Sequence, residues 1–356
     1  MKIIHTGDLH LESSLTTHLS SIKANERKKE LINSFERMVN FASLNNVRVI
    51  IISGDMFDKK RVSITAKRKV FDIIKNNNDI DFLYISGNHD DIDLSYEQVP
   101  ENLKLFSNKW EKYSYENIDI YGINFTKSSN KYLYDTLITK QDKINIVTIH
   151  GQIVNHISNE DININLLKDK NIDYLALGHI HKYQCEKLDD RGIYCYCGCL
   201  EARGFDEDGE KGFVLLDIEN GKITTKFIKN AYRNVYKVEV DITNVFSWVD
   251  LKNKVNELVS NIDSKDMVKV ILKGQFEITQ IKYNEQLLDY LLSKFYFAKV
   301  DDESKLKIDI SNFENEISLK GEFLREVKNS NLEDSLKDEV ILCGIKALTG
   351  EDLSWN

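Results

Sequence analysis

Five apolar runs in the first half of the chain share one ending: each leads to Asp, Asn or His beside a glycine. Ile3-Ile4-His5-Thr6-Gly7 leads to Asp8-Leu9-His10, and Val49-Ile50-Ile51-Ile52-Ser53-Gly54 leads to Asp55-Met56-Phe57-Asp58. Phe82-Leu83-Tyr84-Ile85-Ser86-Gly87 leads to Asn88-His89-Asp90. The run from Ile144 to Ile149 leads to His150-Gly151, and Tyr174 to Leu177 leads to Gly178-His179-Ile180-His181. Unbroken β-branched and apolar stretches suit strands covered on both faces. Glycine lets such a strand turn sharply at its end, so the polar residue is presented at a strand tip, where α/β folds gather their chemistry. Asp, Asn and His are ligands for borderline and hard divalent cations, and five such tips suggest one shared metal centre.

Helical signals alternate with these strands. Leu31, Phe35, Met38 and Ala42 give an amphipathic helix over 26–44, ended by Asn45-Asn46. Ser63 can cap a second helix reaching about Asn76. Residues 117–125 alternate like a strand with one covered face, and strands are expected near 192–197, 212–218 and 223–229, the last two joined at Asn220-Gly221. The pattern predicts an α/β fold of two packed mixed β-sheets flanked by helices. After residue 231 there is no histidine and no metal-type strand tip. Strands at 235–242, 267–273 and 305–310 with helices at 246–262 and 282–295 form a small α+β module, followed over 318–349 by two helices separated near Asn329-Ser330-Asn331. The expected boundaries are 1–230, 231–315 and 316–356.

A net charge of −9 (48 basic, 57 acidic residues) argues against tight nucleic-acid binding by the chain alone, because phosphate neutralisation drives such binding. It leaves room for a nuclease whose positive charge comes from a local cleft, bound metal or a partner. No apolar run approaches the ~20 residues of a membrane span, and the first residues lack a signal peptide's apolar core, so a cytoplasmic protein without membrane contact is expected. The five cysteines should then be thiols. Cys195, Cys197 and Cys199 alternate on one strand face without paired zinc-ribbon spacing, and are read as core thiols.

Hydrolysis of a phosphodiester requires its negative charge to be neutralised, which a pair of divalent ions can do while activating and aligning a hydroxide. Asp8, His10, Asp55, Asn88, His150, His179 and His181 offer the carboxylates, imidazoles and hard oxygen that such a site needs. In order, Asp8-x-His10, Gly54-Asp55-x-x-Asp58, Gly87-Asn88-His89-Asp90, His150-Gly151 and Gly178-His179-x-His181 resemble the motifs of the calcineurin-like metallophosphoesterases. That resemblance implies that Asp8, His10 and His181 hold one ion, that Asn88, His150 and His179 hold the other, and that Asp55 bridges them. It implies that His89 faces the substrate and protonates the leaving oxygen or stabilises the transition state, with Asp58 orienting His89. The ions would be Mn²⁺, with Mg²⁺, Fe²⁺ or Zn²⁺ as alternatives.

The flanks narrow the resemblance. His5 to Ser13, Gly178 to Lys182, Gly198-Cys199-Leu200-Glu201-Ala202-Arg203-Gly204-Phe205-Asp206-Glu207 and Gly209-Glu210-Lys211-Gly212 are similar to the SbcD/YhaO-type DNA repair exonucleases. The chain departs from them at Cys197, where proline is frequent, and at Ala202, where glycine is. The resemblance implies a homodimeric nuclease with double-strand exonuclease and single-strand endonuclease activity. Its capping domain would help to hold DNA, and its C-terminal helices would grip an SbcC-like coiled-coil ATPase. Leu319, Phe323 and Val327, then Leu342, Ile345 and Leu348, form apolar stripes suited either to that partner or to packing on the capping domain. Among the other polar residues, His5 reads as a core or supporting residue, His18 and His156 as loop positions, and Asp90 as a turn cap. The run 206–210 reads as a solvated acidic loop, and Arg203 as a phosphate contact or a structural ion pair.

Overall fold

The computed structural model describes residues 1–13, 15, 19–58, 62–88, 90, 99–124, 133–156, 161–276, 282–306 and 317–349. Two compact units divide at Val235/Tyr236. The first unit is built on two mixed sheets. Its elements are β1 (Lys2–Thr6), α1 (Ser21–Leu44), β2 (Val47–Ser53), α2 (Ile64–Lys75), β3 (Asp81–Ile85), β4 (Leu103–Leu105), β5 (Glu111–Tyr115), β6 (Ile118–Gly122) and β7 (Ile144–His150). There follow β8 (Ile153–Val154), β9 (Ile162–Asn163), β10 (Tyr174–Gly178), β11 (Gln184–Lys187), β12 (Ile193–Tyr196), β13 (Gly212–Glu219) and β14 (Lys222–Lys229). One sheet runs β14-β13-β1-β2-β3-β4, the other β11-β12-β10-β7-β6-β5. In the first, β1 through β4 are parallel and β13 and β14 antiparallel. In the second, β12, β10, β7 and β6 are parallel, with antiparallel edges at β11 and β5.

The continuous apolar runs are explained by what lies on each face. Ile3, Val49, Ile51, Leu83 and Ile85 turn toward Ile120, Ile146, Tyr174, Ala176 and Cys195 of the other sheet and form the inner core. Their alternates, Ile4, Ile50, Ile52 and Phe82, pack outward on Leu31, Phe35, Met38 and Val70 of the two helices. Val147, Ile149, Leu175 and Leu177 pack on the far side against Leu133, Ile162, Leu167 and Leu188. Helix α1 begins at Ser21, earlier than its apolar stripe suggests, because Ser20 accepts a capping bond from Lys23 N while Ser21 and Ile22 stay exposed. Ser63 caps α2 and Asn76 closes it, as expected. Strand β5 escapes notice in the sequence because its face is half-exposed and weakly patterned.

Buried charge ties α1 to the chain that follows β12 and β14. Arg27, fully buried, bonds Glu30, Glu201 (3.4 Å) and the Ala202 carbonyl (2.6 Å). Glu201 in turn accepts from Ser34 Oγ (2.5 Å) and from Tyr232 N and Arg233 N (2.9 Å each). Charges removed from water persist only when paired in this way.

The second unit is α+β. It contains β15 (Val235–Asp241), α3 (Trp248–Leu258), β16 (Met267–Lys273), β17 (Gln275–Phe276), α4 (Asn284–Lys294), β18 (Phe297–Asp302) and β19 (Lys305–Leu306). A three-stranded sheet, β15-β16-β18, packs its apolar face on Leu251, Val255, Leu287 and Leu291. Strand β18 is an addition to the sequence reading, and the expected strand at 305–310 is described only as Lys305–Leu306. Helices α5 (Leu319–Asn329) and α6 (Asp334–Thr349) pack on each other through Leu324, Val327 and Ile341, with a close crossing of Gly344 over Phe323. Val327 is therefore used within the helix pair, whereas Leu319 (70 % exposed), Leu336 (44 %) and Leu348 (41 %) remain open. The side chains of Leu342 and Ile345 lie outside the described residues. Among the described residues no helix is long and apolar enough to cross a membrane.

Candidate metal centre

Strand tips from both sheets converge at one end of the inner core. The tips after β1 and β2 keep pairing beyond their strands, with Asp8 N donating to Gly54 O (3.0 Å), His10 N to Asp55 O (2.9 Å) and Leu11 N to Met56 O (3.0 Å). The sheets are joined beside them by Ser53 Oγ and Thr148 Oγ1, 2.9 Å apart, and by His150 Nδ1, which donates to Ser53 O at 2.8 Å. Glycine is required where these tips crowd: a Cβ on Gly178 would stand 1.8 Å from Ser53 O, and one on Gly54 2.2 Å from His150 Nδ1.

All seven expected ligands are brought together. His10 Nε2 and His181 Nε2 face each other at 3.1 Å, with Asp55 Oδ2 3.6 Å from His10 Nε2. Asp55 Oδ2 also lies 3.4 Å from His150 Nε2, which is 2.9 Å from Asn88 Oδ1. Asn88 Oδ1 is 3.2 Å from His179 Nδ1. Donor atoms of Asp8, His10 and His181 lie within 4.8 Å of one another, as do those of Asp8, Asp55 and His150. Asp8, His10 and Asp55 are buried, while His179 and His181 are partly open and Asn88 exposed.

The chemistry of these atoms fits a cation. The outer nitrogens of three imidazoles have carbonyl or carboxylate acceptors as their nearest partners: His150 Nδ1 has Ser53 O, His10 Nδ1 has Asp58 Oδ1 (2.9 Å) and His181 Nδ1 has Glu207 Oε1 (2.7 Å), closer than the Arg203 Nη2 donor at 3.3 Å. Each neutral ring then carries its lone pair on Nε2, pointing inward. Lone pairs of His10 and His181 thus oppose each other, and that of His150 faces carboxylate and amide oxygens; shared positive charge is what satisfies such a set. Burial, with Asp55 adding to it against the pull of His181, pushes the Asp8 carboxyl up to about 8, so the protein only partly compensates its negative charge.

Support for the imidazoles comes largely from residues to which the sequence reading gave other roles. Burial would raise Glu207, but the bond from His181 and the charge of Arg203 outweigh it and hold the carboxylate far below its usual range. Glu207 belongs to the run read as solvated, yet only 6 % of it is exposed. Its oxygens accept from His181 Nδ1, Arg203 Nε (3.0 Å), Arg203 Nη2 (2.8 Å) and Arg203 N (2.7 Å). Arg203 also reaches Asp58 (3.4 Å), so one guanidinium joins the two carboxylates that orient His10 and His181; the ion-pair reading of this arginine holds. Lys211 Nζ fixes the His181 carbonyl at 2.9 Å. Asp90 accepts from Gly87 N (2.9 Å), Phe57 N (3.1 Å) and Met56 N (3.3 Å), bracing two tips where only a local turn cap was expected. Asp58, which the resemblance assigns to His89, is bonded here to His10; His89 itself lies outside the described residues, as does His18. His5 is buried beside the Tyr174 hydroxyl, 2.8 Å away, and His156 is exposed.

The profile of the calcineurin-like phosphoesterases matches residues 1–183, which include every one of the converging tips. The chain belongs to the calcineurin-like phosphoesterase family. As a member of it, the chain is a metallophosphoesterase of the metal-dependent hydrolase type, and the family binds divalent metals. It is 26% identical to the metallophosphoesterase YhaO of Bacillus subtilis (strain 168), over 95% of this chain and 89% of that protein. It is 24% identical to the DNA double-strand break repair protein Mre11 of Saccharolobus solfataricus, over 87% of this chain and 84% of that one. It is likewise 24% identical to the SbcD subunit of the nuclease SbcCD of Staphylococcus saprophyticus, over 94% of this chain and 97% of the relative.

Proposed function

We propose that this phosphoesterase is a DNA repair nuclease that hydrolyses phosphodiester bonds with two Mn²⁺ ions, as exonuclease and endonuclease, alongside a coiled-coil ATPase. The observation that carries the reading is the inward convergence of imidazole lone pairs and carboxylate oxygens around Asp55. The names of the relatives, a nuclease subunit and double-strand break repair proteins, point from phosphoesterase to DNA.

In this reading Asp8, His10 and His181 would hold one ion, Asn88, His150 and His179 the other, and Asp55 would be shared. Such ions would supply neutralisation of phosphate charge and activation of water. The chain's own residues do the rest. Glu207 and Asp58 keep His181 and His10 in the tautomer that points Nε2 inward, and Ser53 O does so for His150. His89, next to Asn88, delivers a proton to the leaving oxygen. Residues 231–315, the capping domain of this reading, would help to hold DNA. Residues 316–356 dock the ATPase, with the exposed Leu319, Leu336 and Leu348 as anchors. The net charge of −9 favours a partner that adds positive charge for tight DNA binding.

The test is purified protein with Mn²⁺ on end-labelled linear duplex DNA and on bis(p-nitrophenyl) phosphate, each with and without chelator. Metal-dependent cleavage of both is expected. Cleavage of the small ester with DNA untouched, even with the ATPase present, would refute the nuclease reading and leave the phosphoesterase intact.

A further inference from the structure

Strand β11 is an edge strand and leads directly out of the tip that carries His179 and His181. On it Cys185 stands opposite Cys195 of β12 in antiparallel register. The hairpin ladder fixes what kind of pair this is. Leu188 N donates to Gly192 O at 2.9 Å, which makes 188/192 a hydrogen-bonded pair. Alternation from there makes 186/194 hydrogen-bonded and 185/195 a non-hydrogen-bonded pair, the type in which opposed residues approach most closely, with Cα atoms about 4.5 Å apart. That separation falls at the short end of the range a disulfide spans, about 4.4–6.8 Å. Opposed residues of an antiparallel pair project to the same face of the sheet, so both thiols lie on the inner-core side.

We propose that Cys185 and Cys195 are an oxidisable dithiol that closes to a reversible cross-strand disulfide. The two cysteines differ in access: Cys185 is half-buried at the sheet edge and Cys195 fully buried in the inner core. Their proton affinities divide in the same sense. The neighbouring Cys195 thiol, ahead of the opposing effect of burial, lowers Cys185, while Cys185 and burial raise Cys195. Cys185 is thus the sulfur that meets an oxidant and Cys195 the one that resolves it. With hydrogen peroxide, the Cys185 thiolate takes one peroxide oxygen to give a sulfenic acid and releases hydroxide. Cys195 sulfur then attacks Cys185 sulfur, the S–S bond forms, and the sulfenic oxygen leaves as water with the Cys195 proton. Overall two thiols and one peroxide give one disulfide and two waters. A dithiol reductant reverses the bond by exchange. The crosslink stiffens the hairpin that continues from His181.

Full-length protein is treated with hydrogen peroxide, and separately with the thiol oxidant diamide, blocked by alkylation, digested and mapped by mass spectrometry. The expected product is a peptide pair joined through Cys185 and Cys195, lighter by two hydrogens than the reduced pair and cleaved by dithiothreitol. In Cys185→Ser the linked pair disappears, while Cys343 is alkylated as in the parent. Oxidation of Cys185 that stops at sulfinic acid would overturn the proposal. So would disulfides formed only between molecules through Cys343, or full alkylation of Cys185 after oxidant in a protein whose melting curve is native. None of these readouts depends on nuclease activity.

Discussion

Glu207→Gln probes the centre without touching a ligand. Both oxygens of Glu207 accept, one from His181 Nδ1 and the Arg203 guanidinium, the other from Arg203 N. Glutamine has the same shape but only one accepting end. If its oxygen serves His181, its NH₂ confronts Arg203 N–H; if it turns, the NH₂ confronts the imidazole N–H. In the turned orientation His181 loses the partner that fixes its tautomer, in the other it keeps only an uncharged acceptor, and in both Arg203 keeps Asp58 at 3.4 Å as its remaining carboxylate within reach of an ion pair. Loss of such an orienting bond costs about 10–100-fold in metal affinity, or roughly 1.4–2.8 kcal/mol. The expected result by calorimetric titration with Mn²⁺ is one site weakened by that factor and one unchanged, because His150 and Asn88 take no bond from Glu207. Glu210→Gln, in the same acidic run but exposed and paired only with Lys229, is the control and should bind as the parent does. Two sites of parental affinity in Glu207→Gln, or equal loss at both, would refute the assignment of Glu207 to His181.

Gly178→Ala should cost at least the roughly 1–3 kcal/mol of an overpacked core, since its Cβ would stand 1.8 Å from Ser53 O; an unchanged urea midpoint would contradict this. Asp55→Asn should weaken both ions by removing the shared charge, whereas His89→Ala should keep both and lower turnover by about 10²–10⁴-fold, as metal counting beside the assay would show. His5, buried, is pushed down to about 3 from 6.5, so the unfolded chain binds the extra proton in between. Stability present above pH 6.5 should therefore fall as pH drops toward 3, by up to about 1.4 kcal/mol per unit, and His5→Gln should flatten acid melts over that window. Deleting 318–356 should spare hydrolysis of the small ester and abolish association with the ATPase, read by pull-down; a folded truncation that still binds would exclude the tail as the docking site.

How far the sequence alone could be read depended on range. The strand tips were legible because the signal is local: a β-branched run, a glycine and a ligand-type residue are neighbours in the chain, and five repetitions in order leave few folds to choose from. The helix caps at Ser63 and Asn76 were legible for the same reason. Glu207 was not. Its own neighbours are acidic and polar, and only the return of the chain past His181 buries it. Asp90 likewise reads as a turn residue until Met56 and Phe57, more than thirty positions earlier, are brought to it. Arg27 looks like one charge among many on a helix, and its burial depends on Glu201, 174 positions away. Strands β5 and β18 lie at sheet edges, where one-sided exposure blurs the alternation that reveals central strands.

The same cross-chain bonds explain how the centre tolerates its own backbone. Asp8 (φ 49°), His10 (43°), Asp55 (50°) and His179 (100°) all sit in the left-handed region, which non-glycine residues enter at a cost of about 1–3 kcal/mol each. Such conformations persist only where the surroundings over-determine them. Here each tip is held by another tip: Asp8 and His10 donate to the backbone after β2, that backbone donates to Asp90 beyond β3, and the Asp8 carboxylate accepts from His179 N at 2.9 Å. No one strand fixes its ligand alone. The tips therefore form a mechanical unit before any cation is considered, and a change at one tip reaches the others through backbone bonds as well as through shared ligands. It follows that substitutions at different tips should couple rather than add, even where no ligand atom is shared.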